Sequence, residues 1–170
     1  MIIIIMGVSG AGKSTIGKLL AKSLDWHFFD ADLFHPKANI EKMSNGIPLS
    51  DADRTPWLKR IRNAINEWLG EHKNVVFACS ALKKTYRNYL VTNTKNVKIV
   101  YLQGSFDLFS QRLTARKNHF MKVEMLRSQF DILEEPREAI IVDAAKSPKE
   151  IIKYIRKKLY DLKFLTFSKS

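Results

Sequence analysis

The chain has 170 residues, of which 45% are apolar and 27% charged, with a formal net charge of +12 and one cysteine, Cys79. That length suits a single domain, residues 1–170, with one core, and the apolar content is ordinary for a soluble protein. A lone cysteine excludes an intramolecular disulfide and fits a reducing, cytoplasmic setting, and no apolar stretch is long enough to span a bilayer.

The opening run Met1-Ile2-Ile3-Ile4-Ile5-Met6 reads as a buried strand. It lacks the basic flank of a signal peptide and is shorter than a signal peptide's apolar region. Gly7, Val8, Ser9, Gly10, Ala11, Gly12, Lys13 and Ser14 follow, with Thr15 next, and fit the phosphate-binding pattern G-x-x-x-x-G-K-[ST]. In such a loop, glycines let successive N–H groups face one anion, and the helix that follows adds the positive end of its dipole. Lys13 is placed for the β/γ-phosphates and the Ser14 hydroxyl for Mg²⁺. Ile16, Leu19, Leu20 and Leu24 mark one face of that helix.

A second strand is expected over 27–32, ending in Asp30 and Asp32. If the strand persists, alternation sets both carboxylates on one face at its C-terminal end, where open α/β sheets bind ligands. A polar strand end or a helix cap is the plainer reading. In the functional one, one carboxylate serves Mg²⁺ through water and the other an acceptor hydroxyl. Pro36 biases His35 away from helix, and a short helix is expected around 37–43. Thr55 as cap and Pro56 as first residue open a long helix with Trp57, Leu58, Ile61, Ile65, Trp68 and Leu69 on its apolar face. Arg54, at its entrance, reads equally as a surface charge or an anion ligand.

The third strand, 74–80, runs into Lys83, Lys84 and Arg87. Cations at a helix start oppose the dipole, and that conflict points to a task for them. The fourth strand covers 97–102. The helix over 105–116 carries Arg112 and Arg116 at i and i+4, on one side. Residues 117–122 form a polar, basic interruption, a candidate lid over about 117–124. Helix resumes over 123–133, the fifth strand covers 139–142 with Asp143 as its end cap, and Pro148 starts a final helix. Residues 146–170 hold eight basic and two acidic residues, +6 of the total charge. Lys149, Lys153, Arg156, Lys157 and Lys158 oppose Ile151, Ile152, Ile155, Leu159 and Leu162, which reads as a solvated helix face. Phe164, Leu165 and Phe167 form an apolar tail expected to pack on the domain or a partner subunit. Five strands alternating with helices give an α/β fold, a parallel sheet covered on both faces.

The loop alone does not fix the activity. A GTPase switch requires D-x-x-G, and no aspartate here has glycine three residues later; the nearest guanine reader, Thr94-Lys95-Asn96-Val97, lacks its Asp. An ATPase motor requires a carboxylate ending an apolar strand; Asp143 mimics one but follows the last strand of a short chain. A small-molecule kinase accounts for the short chain, the paired aspartates and the paired arginines before a basic segment.

Four blocks carry a closer likeness: Phe29 to Met43; Asp51-Ala52-Asp53-Arg54-Thr55-Pro56-Trp57-Leu58; Cys79-Ser80-Ala81-Leu82-Lys83-Lys84-Thr85-Tyr86-Arg87; and His119-Phe120-Met121-Lys122 with Leu126, Gln129-Phe130, Leu133-Glu134 and Pro136. In these blocks the chain resembles the gluconate kinases. The resemblance runs from the loop to about residue 143 and leaves the tail after Lys158 unmatched. It implies the nucleoside-monophosphate-kinase-like fold with strand order 2-3-1-4-5, ATP-dependent phosphorylation of D-gluconate at its 6-hydroxyl, Mg²⁺, and a homodimer. Under it, Asp32 orients the 6-hydroxyl and accepts its proton, and Asp30 joins the Mg²⁺ water shell. Arg54, Lys83 and Arg87 are the candidate cations for the acid, with Arg54 first, and His35 is a hydroxyl partner. Arg112 stacks on adenine and Arg116 reaches the phosphates.

Two other readings stand beside it. One is a sibling kinase of an acid such as shikimate, whose glycine-rich substrate loop after the third strand is replaced here by Ser80 to Arg87. The other is a nucleotide-dependent nucleic-acid-binding protein, which rests only on the basic final helix and lacks the interleaved aromatic and basic residues of such modules.

Overall fold

A computed structural model describes residues 1–91, 93–115 and 123–167. Five strands, β1 (Ile2–Met6), β2 (His27–Asp30), β3 (Val75–Ala78), β4 (Val97–Gln103) and β5 (Ile140–Asp143), form one sheet in the order β2-β3-β1-β4-β5. Every pairing is parallel, so all five C-terminal ends share one edge. β1 is central and buried along its whole length, which is why it reads as an unbroken apolar run.

The helices are α1 (Lys13–Leu24), α2 (Lys37–Ser44), α3 (Asp51–Gly70), α4 (Lys84–Leu90), α5 (Phe106–Thr114), α6 (Val123–Ile132) and α7 (Pro148–Phe167). They divide the core into two apolar layers. Ile3, Ile5, Ile16, Leu20, Phe109, Leu126, Ile151 and Ile155 cluster on one face of the sheet. Ile2, Ile4, Trp57, Ile61, Ile65, Trp68, Phe77 and Leu90 cluster on the other. Alternate isoleucines of β1 feed opposite layers, as strand geometry requires.

Several boundaries differ from the sequence expectation. β2 stops at Asp30, and residues Ala31–Phe34 wind into a 3-10 turn. Asp30 and Asp32 are therefore not alternate residues of one strand: Asp30 caps the turn that contains Asp32. α3 begins at Asp51, not at Pro56. Ser50 is its cap, with a reciprocal capping box to Asp53, and Pro56 lies inside the helix. A box that satisfies two helix-end groups at once outcompetes the weaker Thr-Pro signal. Thr55 turns its hydroxyl onto the Asp51 carbonyl at 3.0 Å instead.

On α1 the buried face is Ile16, Gly17, Leu20 and Ala21. Leu19 is 42% exposed, because the small residues let α1 approach the sheet on their side. On α7, Ile151 and Ile155 are buried while the five basic residues face solvent, as the amphipathic pattern indicates. The helix continues to Phe167, so the expected apolar tail is helical. Residues 116–122, which hold Arg116 and most of the expected lid, lie outside the described residues; the rest of that stretch, residues 123 and 124, begins α6.

Candidate active site

The site begins where β1 turns into α1. Gly10 and Gly12 sit at φ +80° and +94°, left-handed values that side chains rarely adopt. A Cβ on Gly10 would also stand 2.8 Å from the Phe109 carbonyl oxygen. The first turn of α1 carries no acidic residue, so nothing offsets the positive dipole end facing the loop. Lys13 curls back over the loop, its Nζ donating to the Val8 carbonyl at 3.0 Å. Thr15 is exposed just behind it.

Asp30 ties this loop to the second strand. Its Oδ2 accepts the Ser14 hydroxyl at 2.6 Å and its Oδ1 accepts the Asp32 N–H at 3.1 Å. Cys79, just beyond the end of β3 and fully buried, lies within the electrostatic reach of Asp32, Lys13 and Asp30. Burial pushes its thiol up to about 12, which makes it an inert apolar wall behind the charged groups.

A second group of polar side chains extends from the 3-10 turn. His35 stacks flat on Trp57, with ring centroids 4.6 Å apart and planes within 4°. Trp57 donates its indole N–H to the Ala31 carbonyl at 2.8 Å, which pins the turn to α3. Asn39 Nδ2 lies 3.3 Å from His35 Nδ1 and donates to the Asp53 carbonyl at 2.8 Å. An amide N–H on Nδ1 leaves the imidazole proton on Nε2. Burial, and then the neighbouring Arg54 charge, pull the His35 pKa down to about 4, so the ring is neutral.

Arg54 and Lys83 come from different elements and meet at Asp51. Lys83 Nζ bonds both Asp51 carboxylate oxygens, at 2.8 and 2.7 Å. The Tyr86 hydroxyl also donates to Asp51. Arg54 Nη1 donates to the Leu49 carbonyl at 2.6 Å and lies 4.0 Å from Asp51 Oδ1. Both cations flank the Tyr86 ring, at 5.9 Å for Arg54 and 5.7 Å for Lys83. The helix-dipole conflict at the start of α4 is relieved by Glu134, which accepts the Lys84 N–H at 2.6 Å.

Arg87 stands apart from this pair. It is buried, and its guanidinium donates to the Ala81 and Leu82 carbonyls at 3.1 and 2.8 Å. Ala81 holds φ +43°, a strained value for a side chain, and Arg87 braces that turn from within. Arg112 donates to the Ala144 carbonyl at 2.7 Å, and Asp143 accepts the Ala145 N–H at 2.8 Å as the expected strand-end cap. The sequence reading missed Asp51 and Gln129. Both fall inside the quoted motif blocks, but only the folded chain gives them partners.

Two concavities lie away from this edge. One, of about 1210 Å³, runs between α4, β4–β5 and α7; the other, of about 440 Å³, lies between β5 and α7.

The strand order, the phosphate loop and the carboxylates at the sheet's C-terminal edge define a small phosphate-loop kinase. A family model for shikimate kinase matches residues 9–160. The chain is 45% identical over 152 residues to a probable gluconokinase of Mus musculus, covering 79% of this chain and 83% of that protein. It is 46% identical over 135 residues to the thermoresistant gluconokinase of Escherichia coli (strain K12), covering 79% and 77%. The crystal structure of a gluconokinase from Sinorhizobium meliloti 1021 superposes with a TM-score of 0.87 at 39% identity, covering 99% of this chain and 96% of that one. The chain belongs to the gluconokinase family, within the wider group of shikimate-kinase-like proteins.

Proposed function

We propose that this protein transfers the γ-phosphoryl group of ATP to the 6-hydroxyl of D-gluconate, giving 6-phospho-D-gluconate and ADP. The observation that carries this reading is identity above 40% with gluconokinases over most of the chain. The acceptor side supports it: two cations and a neutral imidazole stand beside a phosphate loop with its own aspartates, a set suited to one carboxylate and a row of hydroxyls.

Phosphoryl transfer needs positioning and charge neutralisation more than covalent chemistry. The backbone of Gly10 to Thr15 holds the β- and γ-phosphates, and Lys13 leaves the Val8 carbonyl to neutralise them. Ser14 and Asp30 form an all-oxygen donor pair of the kind Mg²⁺ takes, together with phosphate oxygens and water. Among the described residues no cluster of three acidic, histidine or cysteine side chains is set to hold a metal ion. When bound, Mg²⁺ supplies charge neutralisation on the phosphates.

Asp32, exposed beside Asp30, accepts the proton of the 6-hydroxyl as the oxygen attacks phosphorus. Arg54 receives the gluconate carboxylate, Lys83 supports it, and His35 donates Nε2–H to a substrate hydroxyl. Arg87 acts through the turn it braces. Arg112 flanks the adenine, and Arg116 reaches the phosphates from the lid segment 117–124. On this reading the enzyme works in the cytoplasm as a homodimer. No described helix is long and apolar enough to cross a membrane. A coupled ADP-release assay over a panel of sugar acids tests the reading. D-gluconate is expected to give the highest kcat/KM, and shikimate or another acid ahead of it would overturn the assignment.

A further inference from the structure

Asp51 stands at an odd place for a carboxylate. It occupies the first turn of α3, where the helix dipole favours a negative charge, but the capping itself is done by Ser50 and Asp53. Its carboxylate turns instead to the start of α4, where it collects Lys83 on both oxygens, the Tyr86 hydroxyl, and Arg54 at 4.0 Å. The Asp51 side chain is 63% exposed, so as a staple between α3 and α4 it contributes little. The hydrogen bonds from Lys83 and Tyr86, and then the Lys83 and Arg54 charges, lower its pKa below the usual carboxylate value.

What Asp51 changes most is the charge that a ligand meets. Arg54 and Lys83 together present two positive charges over one tyrosine ring. With Asp51 between them the patch carries one. His35 beside it is neutral, and Arg87 is buried on backbone carbonyls. A site of net +1 matches a carboxylate, a monoanion, and leaves half the charge of a phosphate dianion without a partner.

We propose that Asp51 is a specificity-determining residue that tunes the acid-binding end to a single negative charge and disfavours acceptors bearing a phosphate there. This rests on the reading of Arg54 and Lys83 as the acid-binding cations. It acts through those cations, so Asp51 is a positioning and charge-setting residue, not a catalytic one.

The test compares two open-chain acceptors that share a terminal 6-hydroxyl: D-gluconate, with a carboxylate at C1, and D-glucitol 1-phosphate, with a phosphate there. Asp51→Asn should raise the ratio of kcat/KM for the phosphate ester over gluconate at least ~fivefold, the scale of one unit charge at about 4 Å screened as in water, which suits an exposed carboxylate. Asp51→Glu, which keeps the charge, should return the ratio toward wild type. An equal fall for both acceptors, leaving the ratio unmoved, would show a merely structural role and overturn the proposal. If Asp51→Asn does not fold, Lys83→Gln reads the same quantity: loss of a cation should lower the ratio at least ~fivefold, and an unchanged ratio overturns the proposal. Arg54→Ala is run beside them. An unchanged gluconate KM in that variant would sink the acid-binding reading itself, whereas a raised KM with an unmoved Asp51→Asn ratio sinks only the role given to Asp51.

Discussion

Gln129 clasps Ser9 with both ends of its amide: Oε1 accepts the Ser9 N–H at 2.7 Å, and Nε2 donates to the Ser9 hydroxyl at 3.1 Å. These residues are 120 positions apart in sequence. The contact fixes α6, which directly follows the basic segment, against the phosphate loop.

Gln129→Ala should therefore loosen the loop without touching its cations. The loss of two partly buried hydrogen bonds costs about 1–3 kcal/mol in total. Steady-state kinetics should show the ATP KM rising about 5–150-fold while the gluconate KM stays within twofold, on the usual conversion of free energy to affinity. A shift confined to gluconate would place Gln129 on the acceptor side.

The roles proposed for Lys13 and Asp32 give separable kinetic signatures. Lys13→Ala should abolish turnover, and appreciable kcat in that variant would remove Lys13 from the γ-phosphate. Asp32→Asn keeps the side chain's size and should lower kcat by roughly 10²–10⁴-fold, the range for a lost general base. An effect on KM alone would take Asp32 out of the proton-accepting role.

Arg54→Ala should raise the gluconate KM and leave that for ATP nearly unchanged. Loss of a hydrogen bond to a charged group costs about 1.5–3 kcal/mol, which corresponds to roughly 10–150-fold in KM. If the ATP KM moves instead, Arg54 belongs to the nucleotide site.

The buried neutral His35 gives folding stability a pH dependence. Its folded pKa of about 4 lies below the ordinary histidine value of 6.5, so between those values the unfolded chain binds more protons than the folded one. The His35 contribution is fully present above pH 6.5 and is lost as pH falls toward 4. The wild-type protein should lose more thermal stability between pH 7 and pH 4.5 than His35→Gln does, once each is referred to its own value at pH 7. Parallel curves for the two proteins would show that His35 does not titrate this way.

The sequence alone determined the sheet, the loop and the family likeness. These are local properties: the short, β-branched Ile run between the chain start and a glycine-rich turn reads as a strand buried on both faces, and G-x-x-x-x-G-K-[ST] between strand and helix admits little but a phosphate cradle. Tertiary structure decided which charges share a site. Arg54, Lys83 and Arg87 look alike as residues, but Arg87 is drawn inward by the Ala81 and Leu82 carbonyls, while the other two gather at Asp51. It also decided that β2 ends at Asp30, because a carboxylate that accepts both Ser14 and the Asp32 N–H stabilises a turn more than another strand residue would. The deciding partners include Ser14, 16 residues from Asp30, and Lys83, 32 residues from Asp51, and local pattern does not show that the fold brings such residues together.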